Sequence, residues 1–293
     1  MNWPKSLSKN IKTKVNLANY TSFKIAAVAD FFLEIKDIDE LRDALSFAKS
    51  KHIPIFILGA GSNILASDRV KGLVIKLDGK YFKKLEKSGN YLLAGSGLKL
   101  NQLILFAQTK CLSGLEFLAG IPGTVGGSLL GNAGAWGQAI GGLVKQACVV
   151  DYQGRLKLLS DKQLKFSYRK SNLDSYIIVW VKLKLKISSK NNIALRIKDH
   201  LLQRLKTQKN SLPNAGCIFK NPAGKKTAGL LIDLCGLKGK RKGGAVVSET
   251  HANFILNLGG AKSRDVVLLM NLIRQKVKSK FGINLQPEVK LWK

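Results

Sequence analysis
The residues most able to do chemistry lie between Gly114 and Gly137, in the stretch GLEFLAGIPGTVGGSLLGNAGAWG. Eight glycines (114, 120, 123, 126, 127, 131, 134 and 137) fall within 24 positions, with one proline and almost no charge. Glycine lets a backbone amide come close to a ligand because no Cβ intervenes, and successive outward N–H groups form an anion-binding concavity. Leu118, Ile121, Val125, Leu129, Leu130 and Trp136 are too apolar for a solvated linker. A second glycine turn, Gly59-Ala60-Gly61-Ser62-Asn63, follows the apolar run at 54–58 and offers amides, a hydroxyl and a carboxamide to a pyrophosphate. Neither G-x-G-x-x-G nor G-x-x-x-x-G-K-[ST] occurs, so neither a dinucleotide Rossmann unit nor a P-loop is indicated. Two separated glycine beds without those motifs suggest an extended FAD gripped from two sides.

Positioning such beds needs a sizeable scaffold, and 293 residues can bury one, divided into two or three domains. The formal net charge of +31 rests on 40 Lys and nine Arg, spread from Lys5 to Lys293. Nucleic-acid binders more often cluster their basic residues and favour Arg for bidentate contacts. The scatter reads as a solvated surface, with a smaller share serving an anionic ligand. A basic nucleic-acid binder is the alternative of another class; it predicts a colourless protein with steeply salt-dependent affinity. Cys111, Cys148, Cys217 and Cys235 form no C-x-x-C pair and have no histidine at metal-ligand spacing, which argues against zinc and against a disulfide scaffold. Cys111, Cys148 and Cys235 read as small core residues. No apolar run approaches the ~20 residues of a membrane helix, and the first residues, MNWPKSLSKNIKTK, lack a secretory signal. A cytoplasmic monomer, with neither nucleic acid nor membrane as partner, is expected.

Periodicity predicts strands at 31–35, 54–58 and 73–77 around a helix at 39–50, a unit that puts the 59–63 turn at a strand's C-terminal end, where α/β folds hold ligands. A helix at 99–110 precedes the long glycine stretch, and strands follow near 145–151, 155–159 and 176–186. The last begins YIIVWV and then alternates as KLKLK, passing from buried to half-exposed. Helices are predicted at 193–208, 225–235 and 264–281. The last has Ser263 as N-cap, a stripe of Val266, Met270, Ile273, Val277 and Phe281, and Gly282 as its stop. The fold class is α+β.

The chain resembles the UDP-N-acetylenolpyruvoylglucosamine reductases through nearly its whole length. The matching segments, in order, are LANYTSF at 17–23, LGAGSNIL at 58–65, GLEFLAGIPGTVGG at 114–127, NAGAWG at 132–137 and FSYRKS at 166–171. They continue with NAGCIFKNP at 214–222, LCGLKGKRKGGAVVSETHANFILN at 234–257 and QPEVK at 286–290. The resemblance implies a vanillyl-alcohol-oxidase-like FAD-binding domain at 1–190, with subdomains of about 1–77 and 78–190. A substrate-binding domain would occupy 191–293, with the last residues returning to the FAD domain. The interval between Arg169 and Cys217 suits the family's shorter subclass. The implied reaction uses NADPH and bound FAD to reduce the enolpyruvyl group, hydride going to its methylene carbon and a proton to its α-carbon. A relative with the same cofactor and a different small substrate is the runner-up.

By resemblance, Arg169 and Glu288 stabilise an enolate-like charge, and Cys217 stands where the family usually has the proton-donating serine. A thiol, with an ordinary pKa of ~8.5, gives up a proton at least as readily as an alcohol. Cofactor contacts are expected from Gly59, Ala60, Gly61, Ser62, Asn63, Gly120, Gly123, Thr124, Gly126, Gly127, Asn132, Gly134 and Arg204. Substrate contacts are expected from Tyr168, Lys220, Asn221 and Lys238. Arg204 and Gln208 match the family's R-x-x-x-Q, although Lys209 replaces the proline expected next. His251 reads as a structural histidine at the start of a strand. No metal is expected.

Overall fold
The computed structural model of the chain describes residues 2–208 and 212–293, so Lys209 lies outside it. Two compact units divide the chain, and neither is one stretch of sequence: the first takes in residues up to Thr13, Phe31–Ala60 and Gly72–Gln203, the second Lys14–Asp30, Gly61–Lys71 and Arg204–Lys293.

In the first unit, Leu7 of the short helix α1 (Lys5–Ser8) is buried, and Ser6 Oγ of the same helix donates to Asp43 at 2.6 Å. Helix α2 (Ile38–Ser50) starts where Asp37 accepts from the amides of Asp39 and Glu40, and it buries Leu41, Ala44, Leu45 and Ala48. Beyond it the strand Ile55–Leu58 runs parallel to Arg69–Leu77, with Ile55 opposite Leu73. A five-stranded antiparallel sheet follows, ordered Leu156–Ser160, Val144–Asp151, Tyr176–Lys184, Tyr91–Gly95, Leu85–Ser88. Helix α3 (Leu100–Thr109) buries Leu100, Leu103, Ile104 and Ala107 in one core of this unit.

The run YIIVWV is apolar throughout because its strand stands between two cores. Ile178, Val181 and Leu183 point into the core that holds α3, whereas Ile177 and Val179 face the core that holds α2. The period-2 alternation breaks between 179 and 181, where Cys148 opposes Trp180 and Val149 opposes Ile178. Val179 is therefore the extra residue of a β-bulge, and the bulge turns Trp180 towards the same core as Val179.

In the second unit an antiparallel sheet, ordered Asn214–Cys217, Phe254–Asn257, Ala245–Val247, Arg241–Lys242, shares a core with helices α6 (Ala228–Leu234) and α7 (Ser263–Phe281). Phe23, Ile25 and Leu65 join that core from the two earlier segments. Buried Asn257 donates to the carbonyls of Phe23 (3.0 Å) and Lys24 (3.3 Å), holding the first of these in place. The strand Lys290–Trp292 runs parallel to Ile64–Ala66.

Two expectations are corrected. Ser263 is the first residue of α7, not its cap; Lys262 is the cap, and its amide donates to the Asp265 carboxylate at 2.9 Å. An acidic side chain reaching back from the third helical position does the work a cap hydroxyl would have done. Cys111 is exposed, at a left-handed residue (φ 56°) in the turn after α3, whereas Cys148 is buried and Cys235 packs against the second unit's core. Gly282 ends α7 in the left-handed conformation, as its sequence position implies.

Asp151 organises the turn between two strands of the large sheet. Burial pushes its carboxyl up, but the Arg155 amide and guanidinium, the Lys157 ammonium and the Gln153 amide outweigh burial and hold it at about 2, below an ordinary 3.8. A carboxyl depressed on folding adds stability above its ordinary value and loses it as pH falls through the folded value. Asp151→Asn should therefore unfold at lower urea than the parent at about pH 7, with the gap closing between about pH 4 and pH 2. Urea midpoints across that window check it, and a constant gap contradicts the assignment.

Candidate active site
In the first unit the two glycine segments, far apart in sequence, touch. A Cβ on Gly59 would lie 2.7 Å from Thr124 Oγ1, so the turn after Ile55–Leu58 rests against Thr124. Thr124 is the N-cap of helix α4 (Val125–Leu130) and accepts from the Gly127 amide at 3.3 Å. The helix's first amides are spent inside the protein: Val125 donates to the Leu98 carbonyl (2.9 Å), Gly126 to Ser96 (2.8 Å) and Ser128 to Thr124 (2.9 Å). A Cβ on Gly126 would meet the Ser96 Cβ at 2.9 Å, whereas one on Gly127 would make an ordinary 3.5 Å contact. The two neighbouring glycines thus have different reasons to be glycine. Gly120 is left-handed (φ 77°), and Gly123 accepts through its carbonyl from Leu100 at 3.0 Å.

Arg169 sits at the corner of a hairpin in which Phe166 pairs with Ser171 and Ser167 with Lys170. It has φ 54°, a conformation that few non-glycine residues adopt. The exposed Tyr168 precedes it, with the guanidinium 5.6 Å from the centre of the Tyr168 ring. The buried Asn132 ties this hairpin to the glycine stretch by donating to the Ser167 carbonyl (2.8 Å) and accepting from the Gly141 amide (3.0 Å). Ser171 adds a bond to the Leu130 carbonyl (3.0 Å), and Arg169 Nη1 donates to the Gly134 carbonyl (3.0 Å). Thr124, Gly126, Asn132, Gly134, Tyr168 and Arg169 are accordingly one connected structure.

In the second unit Cys217 and Glu288 are neighbours. The Glu288 amide donates to the Ile218 carbonyl (2.8 Å), the Lys220 amide to Gln286 (2.9 Å), and Phe219 bridges Pro287. Cys217 is presented by a bulge: Asn214 opposes Leu256 and Cys217 opposes Phe254, so one extra residue intervenes, with Gly216 left-handed at φ 74°. Asn63 belongs to the same group. Its carboxamide donates to the Glu288 carbonyl (3.2 Å) and its own carbonyl accepts from Lys290 (3.0 Å). Gly61 is left-handed (φ 65°), and a side chain there would collide with the Tyr20 carbonyl. Among the described residues, the amides of Ala60 and Gly61 meet no acceptor.

The remaining expected contacts have partners of their own. Asn221 Oδ1 accepts from the Ala228 amide at the start of α6 (2.9 Å), and Lys238 is paired with Asp233 at 2.7 Å. Arg204, on helix α5 (Lys190–Thr207), donates to Gln208 at 3.3 Å. His251 accepts from the Asn253 amide through Nδ1 (3.3 Å), and burial lowers its pKa, which suits the structural reading. Sequence reasoning passed over Asn253. It is buried, bonds both the amide and the carbonyl of Phe219, and so fixes the segment after Cys217. An asparagine inside SETHANF is its only sequence signal.

Residues 29–160 match the FAD binding domain family, and residues 206–292 match the C-terminal domain of UDP-N-acetylenolpyruvoylglucosamine reductase. A crystal structure of UDP-N-acetylenolpyruvylglucosamine reductase from Thermus caldophilus is similar with a TM-score of 0.83 and 34% identity, covering 97% of this chain and 100% of that one. A glucose oxidase variant of Phl p 4, 16% identical with a TM-score of 0.50 over 62% of this chain and 42% of that one, shares the fold. The fold and site thus define a flavoprotein oxidoreductase with an FAD-binding domain and a separate C-terminal domain. Among curated proteins, UDP-N-acetylenolpyruvoylglucosamine reductase 2 of Symbiobacterium thermophilum is 42% identical over 94% of this chain and 90% of its own length. The reductase of Desulforamulus reducens is 39% identical over 96% and 93%. The chain belongs to the UDP-N-acetylenolpyruvoylglucosamine reductase family.

The adjacent glycines of α4 should respond oppositely to alanine. Gly126→Ala overpacks against Ser96 and should cost about 1–3 kcal/mol. Gly127→Ala, whose methyl group would make only an ordinary contact with Thr124, should add about 0.5–1 kcal/mol through helix propensity. Urea unfolding of the flavin-free protein checks both signs.

Proposed function
We propose that this chain reduces UDP-N-acetylenolpyruvoylglucosamine to UDP-N-acetylmuramate with NADPH, a step of peptidoglycan precursor synthesis, with Arg169, Cys217 and Glu288 as its reacting side chains. The observation that carries the residue roles is the backbone pairing that seats Glu288 beside the Cys217 strand. When FAD is bound, the chemistry it would supply is hydride transfer from NADPH to the enolpyruvyl methylene carbon. The chain's own residues do the rest. The Cys217 thiol gives its proton to the neighbouring α-carbon, a general-acid step worth ~10²–10⁴ in rate. Arg169 offers a planar, permanently charged fork to the substrate carboxylate. Glu288 shares a proton or accepts a hydrogen bond there, since a bare carboxylate would repel the developing negative charge.

The residues suit a diphosphate-bearing flavin. The turn Gly59–Asn63 supplies amide donors at Ala60 and Gly61 that meet no acceptor among the described residues. Gly126 and Gly127, whose amides are engaged, serve by letting the cofactor approach the backbone. Gly120, Gly123, Thr124, Asn132 and Gly134 shape the same bed, and Arg204 contributes a cation. Tyr168, Lys220, Asn221 and Lys238 take the sugar nucleotide, whose diphosphate competes with Asp233 for the Lys238 ammonium. Among the described residues no helix is long and apolar enough to cross a membrane.

The purified protein should be yellow, bleach with NADPH and recolour on addition of the enolpyruvyl substrate. Cys217→Ser should keep turnover, whereas Cys217→Ala should lose ~10²–10⁴ of it; the reverse order removes Cys217 from the proton-donor role. Gly127→Ala should fold more stably than the parent yet bind FAD more weakly, read by flavin fluorescence titration. Unchanged FAD affinity in that variant takes Gly127 out of the cofactor bed.

A further inference from the structure
Helix α5 holds the glycine stretch at both ends. Ile193 is buried, and Ile197 packs on the core formed by α3 and the large sheet. Between those positions and the next turn the same face carries two polar residues, Arg196 and His200. Arg196 donates to Ser113 Oγ (2.9 Å) and lies 3.7 Å from the buried Glu116 carboxylate, which accepts from Ser113 Oγ (2.7 Å) and the Gly114 amide (2.6 Å). That pins the beginning of the stretch. One turn later the His200 imidazole stacks on Trp136, with ring centres 4.4 Å apart and planes at 25°.

Trp136 occupies an expensive place. Gly134–Ala135 and Gln138–Ala139 form a hairpin with Trp136 and Gly137 as its two corner residues, at φ 50° and 77°. A corner with both residues left-handed suits Asn-Gly or Gly-Gly; a tryptophan there costs about 1–2 kcal/mol. The residue is half-buried, at 45% exposed, and the stack against His200 is one of the contacts that offset that cost. His200 Nδ1 is buried and bonds to no described residue, so the flat ring and not a hydrogen bond accounts for the histidine's position. The same hairpin supplies the Gly134 carbonyl that accepts from Arg169 Nη1 at 3.0 Å.

We infer that His200 is a positioning residue for Arg169: by stacking on Trp136 it fixes the corner of the hairpin whose Gly134 carbonyl holds the guanidinium. The inference rests on the proposed role of Arg169 in the reaction. Displacing a reacting group by about 1 Å can cost ~10²-fold, and His200 acts at one remove.

The test uses the FAD-loaded protein and separates the two half-reactions by stopped flow. His200→Ala should slow reoxidation by UDP-N-acetylenolpyruvoylglucosamine by about tenfold or more, with flavin content and bleaching by NADPH unchanged. His200→Phe, which keeps a flat stacking ring, should restore reoxidation to within about threefold of the parent. In an Arg169→Ala background His200→Ala should have no further effect, because residues acting through one another are not additive. If His200→Ala fails to hold flavin, His200→Leu, with bulk but no ring, takes its place. Equal losses in both half-reactions, no rescue by phenylalanine, or additive effects with Arg169→Ala overturn the inference. An Arg169→Ala variant that reoxidises at the parental rate overturns instead the reading of Arg169 on which it rests.

Discussion

The carboxamide of Asn132 is the joint on which the glycine stretch and the Arg169 hairpin of the first unit turn. One end donates to the Ser167 carbonyl and the other accepts from the Gly141 amide, so a single buried side chain joins the glycine stretch to the hairpin that bears Arg169. Asn132 is itself left-handed (φ 43°), as are Trp136 and Arg169. Each such residue carries a conformational cost that surrounding contacts must offset. Here the contacts are mutual: Asn132 holds the Arg169 hairpin, Arg169 bonds back to Gly134, and Gly134 belongs to the hairpin cornered by Trp136. Strain gathered at one site and relieved by reciprocal bonds gives the guanidinium one place to be.

The second unit reaches the same end by sheet geometry. A bulge at Gly216 changes the direction in which the strand presents Cys217, and the segment 286–289 then pairs alongside. Buried Asn253 bonds both backbone groups of Phe219, and Asn63 bonds the Glu288 carbonyl. Side-chain amides recur in these roles because each carries donors and an acceptor and can replace the ladder bonds that an irregular backbone gives up. Cys217 and Glu288 are thereby placed by the bonds of the backbone that carries them.

The regular elements were readable because their signals are local. The stripe from Val266 to Val277, the Gly282 stop and the doubly buried run YIIVWV each announce an element without reference to the rest of the chain. The misread positions depend on neighbours that the local pattern does not contain. Ser263 has the right chemistry for a cap, but Asp265 reaches the Lys262 amide first. Cys111 is small and stands next to Leu112, but it lies in a left-handed turn beyond the end of α3.

The family and the types of side chain available for chemistry were legible without coordinates, because ordered motifs and residue types do not depend on them. Tertiary structure alone decided what each glycine is for. Gly126 makes room for Ser96 within the protein, whereas Gly127 has room for a Cβ at ordinary contact, and no spacing rule distinguishes two adjacent glycines. It also decided that Gly59 rests on Thr124, and that His200, on a helix that looks merely amphipathic, stacks on Trp136. The physical reason is the same in each case: a close contact is set by where two distant segments of backbone pack, and that depends on the whole core.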